Sequence, residues 1–276
     1  MGTLYLVATP VGNLEDITLR ALRVLKEVSL IATEDTRTTG RLLKHFELKC
    51  PLVSYYEHNK LARLERVLDA LNDGDVALVS EAGTPLLSDP GYELVRAAIE
   101  RGFEVVSIPG PSAITAALPA SGLPTDRFLF LGFLPRKAGT RRRSLEEAKD
   151  QPATLVFYES PHRLRASLAD MVDILGADRQ LAVCRELTKL HEEIWRGTLA
   201  EALQEWRQRE PRGEFTLVVA GAAPPSAWDE AQVVAVLNNL LLAGVTSKDA
   251  VRQVTAQSGW SRREVYGLAQ KIKKAD

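Results

Sequence analysis

The first 120 residues alternate short runs of β-branched and other apolar residues with longer amphipathic segments. Val76–Val79 is one such apolar run, whereas residues 61–71 repeat leucine and valine at the spacing of a helix that is buried on one side. This alternation is typical of parallel strands joined by crossover helices. The sequence therefore predicts an α/β fold that begins with a five-stranded parallel sheet.

Changes in this alternation of strand-like and helix-like segments predict three domains. Turn residues at 121–124 place the first boundary, so residues 1–121 form an N-terminal α/β domain and residues 122–222 a second one. In the second domain, the predicted strands at 181–186 and 191–197 lie too close for a helical crossover, which predicts a mixed sheet. After a Pro-rich linker, residues 227–276 show no strand pattern and form a small C-terminal helical extension.

The overall charge and the cysteine content exclude several classes of protein. The formal net charge is -1, so no global field attracts a polyanion, and any affinity for nucleic acid has to come from local patches. The two cysteines, Cys50 and Cys184, lack the spacing of a disulfide framework or a metal motif, so we expect no metal. No apolar run reaches membrane-spanning length and no basic leader is evident, which predicts a cytoplasmic location and no membrane contact.

Three Gly- and Pro-rich loops follow predicted strands, at residues 9–13, 81–91 and 109–113. In an open α/β sheet, ligands bind beyond the carboxyl ends of the strands. The alternative for any single loop is that it is a tight turn without a ligand. The phosphate-binding patterns GxGxxG and GxxxxGK[ST] are absent, and Glu81 and Asp89 make the longest loop acidic. Carboxylates suit a ligand with ribose hydroxyls and a positive centre, such as S-adenosylmethionine.

Five motifs occur in an order that resembles a known family. They are Thr9-Pro10-Val11-Gly12-Asn13-Leu14, Thr33-Glu34-Asp35-Thr36-Arg37, Ser80-Glu81-Ala82-Gly83-Thr84-Pro85 with Ser88-Asp89-Pro90-Gly91, Tyr158-Glu159-Ser160-Pro161-His162-Arg163, and Arg185-Glu186-Leu187-Thr188-Lys189. Together they resemble the bacterial 2'-O-ribose cytidine methyltransferases of small-subunit (16S) ribosomal RNA, a branch of the tetrapyrrole methylase superfamily. The resemblance spans about residues 3–220, and the helical tail resembles the C-terminal extension of that family.

The resemblance implies two α/β domains of the tetrapyrrole methylase type, a class III methyltransferase fold, with S-adenosylmethionine bound in the cleft and a homodimer as the usual assembly. It also implies the residues that bind the cofactor: Pro10, Glu81, Gly83, Thr84, Leu87, Ser112, Ala113, Tyr158, Leu187 and Thr216. Where the porphyrin-modifying branch has Gly-Asp-Pro, this chain has Gly83-Thr84-Pro85. That departure favours an RNA substrate, 16S ribosomal RNA within the small ribosomal subunit.

Methylation of a ribose hydroxyl predicts a base or a cation near the acceptor oxygen, because the hydroxyl is a very weak acid. Asp35 and Arg37, which follow the second predicted strand, and Lys189 in the second domain are the candidates for catalysis. Acidic and basic residues so close in sequence also commonly pair with each other and only brace a loop.

Two basic stretches are candidates for RNA binding. The first is predicted as a loop before a helix that begins at Ser144, with Glu147 completing a capping box, and the second lies between residues 244 and 274. Such clusters are also commonly no more than a solvated surface. The residues predicted to bind substrate are Arg136, Lys137, Arg141, Arg142 and Arg143.

Two other functions are compatible with the same residues. A methyltransferase of a tetrapyrrole or another small molecule would keep the fold and the cofactor. A non-enzymatic RNA-binding assembly factor would keep only a vestigial pocket and would not bind S-adenosylmethionine.

Overall fold

A computed structural model describes residues 2–56, 60–223 and 228–275, and the side chains of residues 60–62 and 273–275 lie outside that description. The described residues form two compact units, Met1–Ala220 and Gly221–Asp276. The first unit holds two sheets, and the second is helical. The predicted fold class, α/β with a helical extension, is confirmed.

The first sheet, as far as the described residues show it, is five-stranded and parallel with strand order β3-β2-β4-β1-β5. Its strands are β1 (Thr3–Val7), β2 (Leu30–Thr33), β3 (Leu52–Ser54), β4 (Val76–Val79) and β5 (Glu104–Ile108). The helices that connect them are α1 (Leu19–Glu27), α2 (Thr36–His45), α3 (Lys60–Asp73) and α4 (Tyr92–Glu100). Every residue of β4 is buried, because helices cover both faces of a parallel sheet. One core packs α1 and α2 against the sheet, and another packs α3 and α4 against its opposite face.

The second sheet has strand order β6-β7-β10-β8-β9, again counted over the described residues. Its elements are β6 (Phe128–Phe133), α6 (Ala138–Ala148), β7 (Thr154–Glu159), α7 (Leu164–Leu175), β8 (Gln180–Arg185), β9 (Glu193–Thr198), α8 (Leu199–Gln208) and β10 (Phe215–Val219). β6 and β7 are parallel, whereas β8 pairs with β9 and with β10 in antiparallel register. The predicted mixed sheet is confirmed. Helices α6, α7 and α8 contribute to the core on one of its faces.

The helix that follows β5, α5 (Ala113–Ser121), packs on the other face of the second sheet. Ile114, Ala117 and Leu118 of α5 are buried against Val156, Ala182 and Val218 of that sheet. Arg196 of β9 donates to the carbonyls of Ala120 (2.5 Å) and Ser121 (3.2 Å) at the end of α5. The chain therefore passes from one sheet to the other before residue 121. The domain boundary between residues 121 and 122 stays a prediction.

The start of α6 differs from the sequence-based prediction. The helix begins at Ala138, so Arg141, Arg142 and Arg143 are helical and Ser144 is an interior residue. Arg141, Leu145 and Ala148 are buried at the spacing of one helix face. The prediction of a loop that ends at a helix cap on Ser144 is therefore wrong. The helix begins earlier because an ion pair with Asp170 allows Arg141 to occupy a core-facing position.

The second unit contains α9 (Glu230–Leu242), α10 (Ser247–Ser258) and α11 (Arg262–Ala275). These helices enclose their own apolar core, which includes Val233, Leu237, Val251 and Val265. Residues 224–227 of the predicted linker lie outside the described residues. Among the described residues, none of the helices is both long and apolar enough to cross a membrane.

Candidate functional site

The loops that follow β1 and β4 are joined directly at the carboxyl edge of the first sheet. The Thr9 N–H donates to the Gly83 carbonyl (2.9 Å), and the Gly83 N–H donates back to the Thr9 carbonyl (2.9 Å). Gly83 has a φ of +79°, a left-handed conformation that glycine adopts without steric cost. The Thr84 hydroxyl donates to the Pro111 carbonyl (3.1 Å), which ties in the loop after β5. The three loops predicted to converge therefore do so.

The loop after β4 holds two further residues in left-handed conformations, and neither is a glycine. Leu86 has a φ of 71° and Ser88 a φ of 72°. Each such residue costs on the order of 1–3 kcal/mol, and this strain clusters at ligand sites. Leu87, between them, is left with its side chain exposed.

A cavity of about 380 Å³ opens between this loop and the second sheet. The volume lies within the range of small-molecule sites, about 300–1,000 Å³. Most of the residues predicted to bind the cofactor line it: Glu81, Gly83, Thr84, Leu87, Ala113, Tyr158 and Thr216. The first sheet supplies the strained loop, and the second sheet supplies Tyr158 and Thr216, which pair across β7 and β10.

Three of the predicted cofactor-binding residues do not line this cavity. Pro10 lines a second, smaller cavity next to it. Ser112 is buried and shares a hydrogen bond with the Tyr158 hydroxyl, so it positions a lining residue. Leu187 is buried in the core formed by α5 and the second sheet.

Several lining residues are not among the predicted cofactor-binding residues. They are Val11, Ala82, Ser88, Asp89, Phe133, Glu159, Ser160, Pro161, Glu214 and Phe215. The acidic loop and the motif at residues 158–163 carried a signal for some of them. Phe133 carried none, because an aromatic residue at the end of a strand is typical of core packing.

An acidic cluster lies at the first-sheet side of the cavity. The pKa of Asp89 is raised to about 6, mainly by burial and then by the nearby carboxylates of Glu34 and Glu81, against the opposing effect of a hydrogen bond from Ser80. The pKa of Glu34 is also raised, mainly by burial and then by the charges of Glu81 and Asp35. Carboxylates that repel one another in this way favour a cation among them.

Asp35 and Arg37 form a pair at the start of α2. The Arg37 guanidinium donates to both Asp35 oxygens (3.2 and 2.9 Å), and the Arg37 backbone N–H donates to Oδ1 (2.7 Å). These bonds lower the pKa of Asp35 to about 2, so its carboxylate is a weak proton acceptor. The Arg37 side chain is 88% exposed.

Lys189 lies in the loop between β8 and β9 of the second sheet, where two carboxylates hold its ammonium group. Its Nζ donates to Glu186 (2.8 Å) and Glu214 (2.9 Å). A Cβ on Gly12 would lie 2.3 Å from the Lys189 Cγ, so the loop after β1 is in close contact with this side chain. Glu214 also lines the cavity, which places the Lys189 pair at its border.

The basic stretch at the start of α6 is divided between the interior and the surface. Arg141 is 7% exposed, and its Nε donates to Asp170 (2.7 Å). Arg142 donates to Asp170 (2.6 Å) and Asp173 (3.0 Å). Arg136, Lys137 and Arg143 are exposed. The position of Arg141 does not fit the RNA contact predicted for it, because its guanidinium is used inside the protein.

A comparison with known proteins identifies the family. A family model described as Tetrapyrrole (Corrin/Porphyrin) Methylases matches residues 3–203. A protein named Ribosomal RNA small subunit methyltransferase I from Halalkalibacterium halodurans is 51% identical over 273 residues, which are 97% of this chain and 94% of the relative. A protein of the same name from Bacillus subtilis is 43% identical and covers 96% of this chain and 93% of its own.

Solved structures agree on the fold. Uroporphyrin-III-C-methyltransferase from Thermus thermophilus has a TM-score of 0.56 and 23% identity, with 80% of this chain and 94% of that chain covered. The cobalt precorrin-4 methyltransferase has a TM-score of 0.60 and 15% identity, with 79% and 94% covered. The family model and the two relatives lead to one conclusion, with which the fold agrees: the chain belongs to the tetrapyrrole (corrin/porphyrin) methylase family.

Proposed function

We propose that this protein is an S-adenosylmethionine-dependent methyltransferase that methylates the ribose 2'-hydroxyl of a cytidine in 16S ribosomal RNA. The observation that carries the proposal is the acidic, loop-lined cavity of about 380 Å³, in a chain similar over nearly its full length to relatives named for ribosomal RNA methylation. We further propose that it acts in the cytoplasm, as a homodimer, on the assembled small subunit.

The residues around the cavity fit the chemistry of S-adenosylmethionine. Glu81 and Asp89 supply negative charge for a cationic ligand, and burial together with the nearby carboxylates raises the pKa of Asp89, which favours a cation beside it. The hydroxyls of Thr84, Ser88 and Thr216 can bond to the ribose and to the amino-acid part. Phe133 and Tyr158 supply aromatic surface for a purine, with ring centroids 5.5 Å apart.

The protein's own contribution to catalysis is to position the groups and to exclude water. When bound, S-adenosylmethionine supplies a methyl group attached to a positively charged sulfur, and the sulfur is the leaving group that keeps the electron pair of the broken bond. The hydroxyl proton has to be accepted, or the developing oxygen charge stabilised. We propose that Arg37, held by Asp35, and Lys189, held by Glu186 and Glu214, supply the positive charge. With a pKa of about 2, Asp35 acts chiefly by positioning Arg37.

The alternative substrate is a tetrapyrrole or another small molecule, as the names of the solved neighbours state for those proteins. Two observations favour RNA for this chain. Its loop has Gly83-Thr84-Pro85 instead of Gly-Asp-Pro, and the exposed Arg136 and Lys137 follow shortly after Phe133 of the cavity. Exposed cations suit contacts with a phosphate backbone.

The experiment is mass mapping of ribosomal RNA from cells that lack this protein. We expect one missing ribose methyl on a cytidine of the small-subunit RNA, restored by the wild-type gene. The Asp35→Asn variant should bind S-adenosylmethionine normally by calorimetry and fail to restore the methyl. An unchanged RNA contradicts the proposed function, absence of binding heat in the wild type indicates a vestigial pocket, and full turnover of Asp35→Asn removes that residue from the mechanism.

A further inference from the structure

A second cavity, of about 240 Å³, adjoins the cofactor cavity and shares Glu81 with it. It is lined by the loops after β1 and β4 and by the middle of α2. Its lining residues are Thr9, Pro10, Leu14, Thr38, Thr39, Arg41, Leu42, Ser80 and Glu81. The cofactor fit described above uses none of them except Glu81.

The position of this cavity follows from the topology of the sheet. β2 and β4 are neighbours, yet the chain leaves β2 toward β3 on one side and leaves β4 toward β5 on the other. The loops therefore separate above the two strands and leave a crevice, which is the usual ligand position in open α/β sheets. The floor is rigid, because Thr9 and Thr39 are buried and Thr39 shares a hydrogen bond of 2.6 Å with Thr33.

The lining combines apolar surface with a few polar groups. Pro10, Leu14 and Leu42 supply apolar surface. Arg41 is exposed, and its Nη2 donates to the Thr38 hydroxyl (3.3 Å), which uses only part of its donor capacity. Glu81 adds an acceptor at the border with the cofactor cavity. A flat heterocycle with both donors and acceptors on one edge matches this combination.

We propose that this cavity takes the base of the acceptor nucleotide, extruded from the RNA, with Arg41 and Glu81 reading its edge. The inference rests on the function proposed above and adds the position at which the acceptor is recognised. Glu81 accepts from the exocyclic amine of cytosine, and Arg41 donates to its ring nitrogen and carbonyl oxygen. Uracil presents an oxygen where cytosine presents the amine, so Glu81 repels it. A macrocycle of four pyrrole rings is larger than this cavity.

The experiment measures methyl transfer from labelled S-adenosylmethionine to small ribosomal subunits from cells that lack the protein, carrying either the target cytidine or a uridine in its place. Arg41→Ala should lower kcat/KM for the cytidine substrate about tenfold to hundredfold, reduce the preference for cytidine, and leave the Kd for S-adenosylmethionine within about twofold. Thr38→Leu, which narrows the same cavity, should lower kcat/KM in the same direction. Lys44→Ala is the matched control, because Lys44 is an exposed cation of the same helix that does not line the cavity.

Three outcomes overturn the inference in different ways. Equal losses on cytidine and uridine substrates, with a salt slope smaller by about one, would make Arg41 a phosphate-binding residue. Unchanged kinetics of both Arg41→Ala and Thr38→Leu would show that the cavity is not used, although the proposed function would stand. Failure of the wild-type protein to methylate either substrate would instead overturn the proposed function and the inference with it.

Discussion

The charged residues of the two sheets in the first unit behave in opposite ways. At the edge of the first sheet, Glu34, Glu81 and Asp89 lie near one another, and the pKa values of Glu34 and Asp89 are raised. In the second sheet, hydrogen bonds from Arg209 lower the pKa of Glu193. Asp170 of α7 receives bonds from Arg141 and Arg142 of α6. Paired charges hold a structure together, whereas carboxylates that raise one another's pKa mark a place that awaits a positive ligand.

The largest expected effect comes from breaking the buried ion pair between α6 and α7 beside the second sheet. Asp170→Ala leaves the buried Arg141 without its carboxylate, which should lower the free energy of unfolding by about 3–5 kcal/mol. The measurement is equilibrium unfolding in urea. Asp173→Ala is the control, because its carboxylate is largely exposed and bonds only to Arg142 among the described residues, so we expect a loss of about 0–1 kcal/mol. Similar losses for the two variants would show that the second sheet does not depend on its buried pair.

The mutually repelling acids at the edge of the first sheet should make cofactor affinity depend on pH. Below about pH 6 the Asp89 carboxyl takes up a proton and loses its attraction for a cation, so S-adenosylmethionine should bind about tenfold more weakly at pH 5 than at pH 7. Above pH 7 the affinity should stay level. Calorimetry across this range measures the effect, and Asp89→Asn should bind more weakly at pH 7 and lose most of the pH dependence. The same profile in wild type and variant would assign the titration to another group.

The smallest expected effect concerns the exposed cations near α6. Replacing Arg136, Lys137 and Arg143 together with alanine should weaken RNA binding and lower the slope of log affinity against log salt by about 0.7–0.9 for each phosphate that is no longer neutralised. Filter binding at several salt concentrations measures the slope. Arg23→Ala in α1 is a matched control, since it removes an exposed cation elsewhere in the first unit. An unaltered slope in the triple variant would mean that the RNA approaches from another side.

Local patterns in the sequence predicted much of the first sheet and of its loops. The structures of β4, an apolar buried run, and of the turn at Gly83 are determined by the few residues within each segment. The start of α6 could not be predicted in this way. An arginine at a core-facing position is stable only because Asp170, 29 residues later, neutralises it, and periodicity does not record such a distant pairing. The second cavity was missed for the same reason, because α2 and the loop after β4 meet only in the folded chain.

The packing of α5 limits how this protein can be divided. Its apolar side chains are covered by the second sheet, while the loop that precedes it holds the Thr84 hydroxyl of the first. A fragment cut after residue 121 would expose the buried surface of α5 and would be prone to aggregate. Exchange of halves between homologues at that position would create mismatched side chains where α5 meets the second sheet. Chimaeras joined upstream of α5, so that the helix stays with its own sheet, should be the ones that remain folded.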